Sequence, residues 1–313
     1  MPEVFYARSP TRFADLMLLA VTVCWGVSFA AIKTATHHAS PVLFVTVRFT
    51  AATLLLLAVW PWLLRGETPE VRRRSYRSLG DPSTLRWGFL MGTLIAIGYT
   101  TQTVGLTTTS ADNSAFLTAL SVVLVPVLVF LVHGEKPGRP VLAGLGLALL
   151  GLALLTRPDL GRTVTGDLWT LGTAFAYAVY LERLSAALKR VPYLPLLFWT
   201  LAICALWNAL LAATVESRVW DWHPHLLAAL AVTTLLSTLL ALYLQNRFQG
   251  RTTATRAALI FSAEPVFAAA FSWVLLGERL TGWSLAGAAL ILGAVMLIEL
   301  RDAAALATTE VRL

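Results

Sequence analysis

Apolar residues run through this chain in long unbroken stretches rather than in alternation. Ten segments stand out: Phe13–Ile32, Pro41–Leu64, Leu85–Leu106, Asn113–Val132, Pro140–Leu155, Asp167–Leu188, Pro195–Val215, Leu226–Asn246, Thr252–Leu276 and Trp283–Glu299. A helix needs about 20 apolar residues to cross a bilayer, within a range of about 17–25. Most segments fit, and the fifth is expected to extend into its flanks. Only helices and closed barrels satisfy backbone polar groups inside lipid. Barrel strands would alternate in twos, so the pattern predicts an all-α integral membrane protein with ten transmembrane helices. The first segment follows Arg8 and Arg12 and reaches Ser28-Phe29-Ala30, which loosely fits a secretory leader. Cleavage would leave nine helices and break the repeat described next, so the segment is read as a retained span.

The pattern also repeats. A shift of 143 positions lays residues 102–154 on the second half without a gap. Gln102 falls on Gln245, Ala111 on Ala254, Gly134-Glu135 on Gly277-Glu278, and Leu142-Ala143-Gly144 on Leu285-Ala286-Gly287. Upstream the shift becomes 152, pairing Asp15-Leu16 with Asp167-Leu168 and Trp25 with Tyr177. The longer loop between helices two and three accounts for the difference. The unit is five helices, with residues 1–160 as the first repeat and 161–313 as the second. An odd number of spans per unit turns the second copy upside down in the membrane.

Composition excludes other classes. Of the 313 residues 57% are hydrophobic and only 13% charged, and the mean hydropathy is +0.72. A soluble domain carries about 25% charge, and a disordered chain lacks this much apolar surface to bury. The net charge of +7 belongs to loops rather than to a nucleic-acid-binding face. With the amino terminus in the cytoplasm, sixteen of the 24 lysines and arginines fall in cytoplasmic segments, including Arg65, Arg72, Arg73, Arg74, Arg77, Lys136, Lys189 and Arg190. Four, Arg157, Arg162, Arg218 and Arg279, fall on the opposite side. The excess predicts both termini in the cytoplasm of a bacterial inner membrane.

No enzyme constellation is evident. His37, His38, His133, His223 and His225 have no metal-site spacing with each other or with Cys24 and Cys204, and no phosphate-cradling glycine loop is present. No cofactor, metal or catalytic residue is therefore expected, and ATP-driven pumping within the chain is not. Inverted helical repeats point instead to a secondary carrier that rocks around a midplane site.

Trp25-Gly26, Arg48-Phe49, Asn113-Ser114-Ala115-Phe116 and the stretch AALIFSAEPVFAAAFSWVLLGERLTGWSLAGAALILGAVML at 257–297 resemble the EamA-type branch of the drug/metabolite transporter superfamily. The resemblance extends from Asp15 to about Glu299. It rests on the order and spacing of weak motifs together with the tenfold helix count. It implies ten helices, cytoplasmic termini, export or exchange of small metabolites, often amino acids, and a cavity lined mainly by helices one, three, four, six, eight and nine. Export of cationic drugs, or in another class a membrane receptor or scaffold, are the rival readings. A small-molecule substrate, the bilayer, and a proton or exchanged solute are the expected partners.

Charges in the membrane each call for a partner or a role, since one costs about 2.5–3.5 kcal/mol to insert. Glu264, before Pro265, lies roughly 18 Å into the ninth helix at 1.5 Å per residue. It is either a proton-titrating or cation-binding carboxylate, or a structural one paired with Arg256, Arg48 or a tyrosine. Pro265 is expected to kink the helix. Arg48 is either a snorkelling arginine or a clamp for a substrate carboxylate, and Lys33 is read as snorkelling at the outer interface. Glu182 and Arg183 are adjacent and expected to point apart, with Glu182 at a solvated inner gate or facing the cavity.

The repeat mates Gln102 and Gln245 bind substrate or bridge helices. Asn113 caps the fourth helix or reaches the cavity. On the helices that the resemblance makes cavity-lining, Trp25, Tyr99, Phe116, Tyr177 and Tyr180 are candidate pocket aromatics, while Trp169 suits the interface belt. The small-residue spacings Gly144/Ala148 and Ala289/Gly293 mark helices five and ten as packing elements.

Overall fold

The computed structural model describes residues 11–156, 165–276 and 281–310. Arg8, Arg157, Arg162, Arg279, Arg312 and the turn Gly277-Glu278 lie outside the described residues. Among the described residues all regular elements are helical, with no strand beyond an isolated bridge between Ala39 and Trp220. In order they are α1 (Thr11–Ala35), α2 (Pro41–Leu63), α3 (Pro69–Arg77), α4 (Pro82–Gly105), α5 (Ala111–Ala119), α6 (Ser121–His133) and α7 (Arg139–Thr156). There follow α8 (Thr165–Ala187), α9 (Tyr193–Val215), α10 (Pro224–Val232), α11 (Ala241–Phe248), α12 (Ala254–Phe261), α13 (Glu264–Leu276) and α14 (Gly282–Glu310).

Each of the ten apolar segments falls on one helix or on a consecutive pair. Among the described residues six stretches are long and apolar enough to cross a membrane: Phe13–Ala35, Pro41–Leu63, Asn113–His133, Tyr193–Val215, Pro224–Arg251 and Ala254–Phe271. Helices α4 and α8 reach 24 and 23 residues, but threonines dilute α4 and Asp167, Glu182 and Arg183 dilute α8. The surface is rich in large exposed apolar side chains, among them Leu16, Leu54, Trp62, Ile97, Leu131 and Trp273.

Three features depart from uninterrupted spans. Helix α3 is a short basic helix where the pattern indicated a loop. Thr68 caps it, accepting from the Val71 N–H at 3.4 Å, and Pro69 opens its first turn. A stretch rich in arginine has no apolar signal, yet these end signals suffice to form it.

The fourth and ninth segments are each broken in two. The first break is at Leu120, between α5 and α6, and the second at Ser262-Ala263, between α12 and α13. The shift of 143 carries Leu120 onto Ala263, so the breaks are repeat mates. Pro265 does not kink a continuous helix. It sits in the first turn of α13, where a missing N–H costs nothing. The first half has Val122 at that position and breaks all the same. The eighth segment is interrupted differently, by a π-helical stretch Thr233–Leu240 that joins α10 to α11.

Helices α7 and α14 pack on one another, as the small residues suggested: α7 buries Gly144 and Ala148, but α14 presents Gly287 rather than Ala289 and Gly293. The closest approach is Gly151 to Gly287, where a Cβ on Gly287 would lie 2.4 Å from the Gly151 carbonyl oxygen. Ala289 and Gly293 are exposed on the other side of α14, and Gly293 has open space around it. Counting small residues finds a stripe but not the face that the neighbouring helix uses. At the end of α6, Gly134 takes a left-handed φ of 72°, which a side chain would resist, and ends the helix.

Candidate functional site

The two breaks meet at a small internal cavity. Thr118, Ala119 and Ser121 line it from the first break, and Phe261, Ser262 and Glu264 from the second. Trp25 of α1, Tyr177 and Tyr180 of α8, and Gln245 of α11 complete much of the wall. Its volume is about 30 Å³, room for one or two waters at roughly 10–15 Å³ each.

Helix ends make such a place reactive toward polar ligands. A broken helix leaves unpaired N–H groups and a partial positive charge at the start of its second half. Glu264 occupies the first turn of α13, beside that positive end. It is the one carboxylate among the described residues lining the cavity. It makes no hydrogen bond or ion pair with another described residue. The partner considered for it, Arg256, is committed elsewhere: its Nη2 donates to Asp15 Oδ2 at 2.6 Å, with both side chains buried.

The aromatic candidates divide. Trp25 packs edge-on against Phe261 with centroids 5.1 Å apart, and its Nε1 donates to the Ser237 carbonyl at 3.1 Å. Tyr177 stands edge-on to Tyr99 at 5.7 Å. Tyr99 lies one layer behind the cavity, and its hydroxyl donates to the same Ser237 carbonyl at 3.4 Å. Ser237 belongs to the π-helical stretch, whose altered ladder offers a carbonyl to side chains from α1 and α4. Its hydroxyl returns a bond to the Cys24 carbonyl at 2.7 Å. Phe116 packs against the core and is not among the cavity walls. Trp169 is exposed on the bundle surface.

The glutamine mates differ. Gln102 Nε2 donates to Thr118 Oγ1 at 3.3 Å and so bridges α4 to α5. Gln245 lines the cavity. Its Nε2 donates to Gln249 Oε1 at 2.9 Å, and its own Oε1 is buried without a partner, as is the Tyr180 hydroxyl.

Asn113 does not cap its helix. Ser110 does, accepting from the Asn113 N–H at 3.1 Å. The Asn113 side chain instead donates to Asp167 Oδ1 at 2.6 Å, where Thr109 also donates at 2.5 Å. Repeat arithmetic pairs this contact with another. Asn113 maps to Arg256, Asp167 to Asp15, and the cap Ser110 to Thr253, which accepts from the Arg256 N–H at 3.2 Å. One strut, Asp15–Arg256, ties α1 to α12; its mate, Asp167–Asn113, ties α8 to α5. The first is ionic and the second is not.

The bundle's two ends differ. At the end bearing α3, a vestibule of about 470 Å³ is lined by His133, Lys136, Glu182, Lys189, Arg190 and Thr252, among others. Glu182 is buried there rather than solvated, bonded to His133 Nε2 at 2.8 Å and to Arg183 Nε at 2.8 Å. Adjacent residues diverge at Cα, but two long side chains can still meet, so the expectation that they point apart fails. Gln249 Nε2 binds the Leu181 carbonyl at 2.8 Å and Ser185 Oγ at 3.0 Å, tying the turn after α11 to α8.

At the opposite end Lys33 does not snorkel. Its ammonium donates to the carbonyls of Leu106 at 2.5 Å and Thr109 at 2.8 Å, closing the end of α4. Glu216 accepts from the N–H groups of Val42 and Leu43 at 3.1 and 2.9 Å, neutralising the start of α2. Sequence reasoning missed Glu216, His133 and Ser237. Each acts on a distant element, and no local pattern marks it.

Comparison with known proteins fits this architecture. The model of the EamA-like transporter family matches residues 12–157 and again 164–300. An "Uncharacterized transporter" of Archaeoglobus fulgidus is 32% identical, with 92% of this chain and 86% of that protein covered. A "Probable amino-acid metabolite efflux pump" of Salmonella typhimurium is 29% identical over 90% of this chain and 93% of its own length. A solved structure described as "Crystal structure of protein" superposes with a TM-score of 0.74 at 19% identity, covering 92% of this chain and 97% of that one. At that identity the likeness is one of fold.

Proposed function

Because the chain belongs to the EamA-like transporter family and is a multi-pass protein of the bacterial inner membrane, we propose that it is a secondary transporter exporting or exchanging small amphipathic metabolites, amino acids foremost. The observation that carries this reading is the meeting of two repeat-mated helix breaks at one aromatic cavity. Discontinuous helices at matching positions of two repeats mark the substrate site in carriers of this kind. The proposed mechanism is alternating access: residues 1–160 and 161–313 form inverted halves, and their rocking opens the cavity to each side in turn. The double family match supports that division. The relative named as an amino-acid metabolite efflux pump supports the substrate class, and Glu264 on the cavity wall supports a proton or an exchanged cationic solute as the counter-partner. Cationic drugs are the second reading, favoured by the same carboxylate among aromatic rings.

Ten spans with cytoplasmic termini make a topological prediction. Reporters inserted near Arg74 and after Lys189 are expected in the cytoplasm, and reporters near His37 and Asp221 on the far side. Arg74 and Asp221 reporting the same compartment would overturn the arrangement.

Efflux from preloaded proteoliposomes tests the function itself. Trp25→Ala or Tyr177→Ala is expected to weaken substrate binding by roughly 0.5–1.5 kcal/mol beyond lost burial, which is about threefold to tenfold. Phe271→Ala, off the cavity wall, is expected to transport as the unaltered protein does. Equal kinetics for all three variants at equal reconstitution would remove the aromatics from the substrate path.

A further inference from the structure

Arg48 carries two of the buried unpartnered nitrogens among the described residues. Its side chain is fully buried in the middle of the bundle. Nε donates to Thr238 Oγ1 at 2.6 Å, but Nη1 and Nη2 are buried with no hydrogen-bond partner. A snorkelling arginine would reach the interface, and this one does not. The guanidinium lies 4.7 Å from the Tyr99 ring centroid and 5.7 Å from that of Phe49. Those faces are partial compensation for a buried cation. They leave the two-pronged edge of the group, the part that matches a carboxylate, unanswered.

Among the described residues the buried carboxylates do not answer it. Asp15 is bound to Arg256, Glu182 to His133 and Arg183, Asp167 to Thr109 and Asn113, and Glu216 to the start of α2. Glu264 faces the cavity beyond Tyr177 and makes no ion pair with Arg48 among the described residues. Among the described residues no carboxylate supplies the counter-anion.

We propose that Arg48 is the recognition group for a carboxylate on the transported solute, with Tyr99 covering it in the closed state. This rests on the transport reading above. The 30 Å³ cavity must widen to admit any solute, and Tyr177 and Tyr99 are the two rings between its space and the Arg48 fork. Displacing Tyr99 exchanges a cation–π contact for two parallel N–H···O bonds, the strongest pairing an arginine makes. Glu264, across the same aromatic wall, is placed for the ammonium of the same solute, so the recognised class is a zwitterion with an apolar side chain.

A second observation agrees. The vestibule carries Lys136, Lys189 and Arg190 against Glu135 and Glu182. Such a mouth focuses solutes that carry an anionic group.

The test uses full-length protein in liposomes, with two pairs of probes matched except for the carboxylate: L-phenylalanine with phenethylamine, and L-leucine with isoamylamine. The unaltered protein is expected to prefer the amino acid of at least one pair. Arg48→Gln is expected to lower that preference by tenfold to a hundredfold, through loss of amino-acid flux with amine flux kept. Arg48→Lys, which keeps the charge and loses the fork, is expected to fall between. The preference is a ratio within one preparation, so a change in the amount of folded protein cancels. A ratio unchanged in both variants, or an equal fall in both fluxes, overturns the assignment and leaves Arg48 a structural residue. An unaltered protein that prefers the amines overturns the carboxylate while sparing transport. An unaltered protein that moves no probe overturns the amino-acid reading and this assignment together.

Discussion

Glu264→Gln is expected to abolish the response of net flux to an imposed pH gradient, with solute exchange weakened by the lost ammonium contact but still measurable. If one proton moves against each solute, every unit of pH gradient supports about tenfold solute accumulation, or about 1.4 kcal/mol. Acid outside drives export, and reversing the gradient reverses the net movement. The Glu264 side chain is the group placed to carry that coupling, being the lone carboxylate of the cavity wall among the described residues, with Tyr177 and Tyr180 beside it. The amide keeps the shape and cannot titrate. Because Glu264 makes no ion pair among the described residues, its neutralisation strands no counter-charge, and the variant is expected to fold. Proteoliposomes with and without a gradient read the result. A folded variant that still accumulates solute tenfold per pH unit would exclude Glu264 from coupling.

The opposite outcome is expected for Asp15→Asn. Asp15 and Arg256 form a buried pair at 2.6 Å, and breaking such a pair typically costs about 3–5 kcal/mol. The expected result is a large fall in the unfolding temperature of the purified protein in detergent. The double variant Asp15→Leu/Arg256→Met, which removes both charges, is expected to recover much of it. A single variant that melts like the unaltered protein would show that Arg256 has other support. Asn113→Arg extends the argument to the mate strut, where the new guanidinium would face Asp167 as Arg256 faces Asp15.

Much of this architecture was legible in the residues. Hydropathy located the segments because lipid imposes length and continuity. The two breaks and the two caps Ser110 and Thr253 fall on the shift of 143, and the two struts on 143 at one end and 152 at the other. The breaks themselves were half-visible: Pro265 signals one, while nothing at Val122 signals its mate. Trp25, Tyr177, Tyr180, Gln245 and Glu264 were named from the residues and the resemblance, and they share one cavity wall. Arg256 was one of several partners weighed for Glu264 and pairs with Asp15 instead, because spacing along a chain says which residues are deep in the bundle but not which face they turn to each other. The π-helical stretch was invisible, since eight residues reading TTLLSTLL favour no particular helical register. Helix α3 escaped for the opposite reason: its signal lies in its ends and not in its apolar content.

The near-absence of space around Glu264 matters for the cell that holds this protein. A membrane that stores energy as ion gradients must tolerate thousands of carriers without short-circuiting. Protons cross proteins along files of hydrogen-bonded water, and a void of about 30 Å³ is too small for such a file to cross the bundle. At one end Lys33 stoppers the route on the α4 carbonyls, and at the other Gln249 stitches a turn to α8. In this conformation the cavity holds no continuous file of water across the bundle. Conduction of any kind would have to wait for a passenger large enough to prise the rings apart.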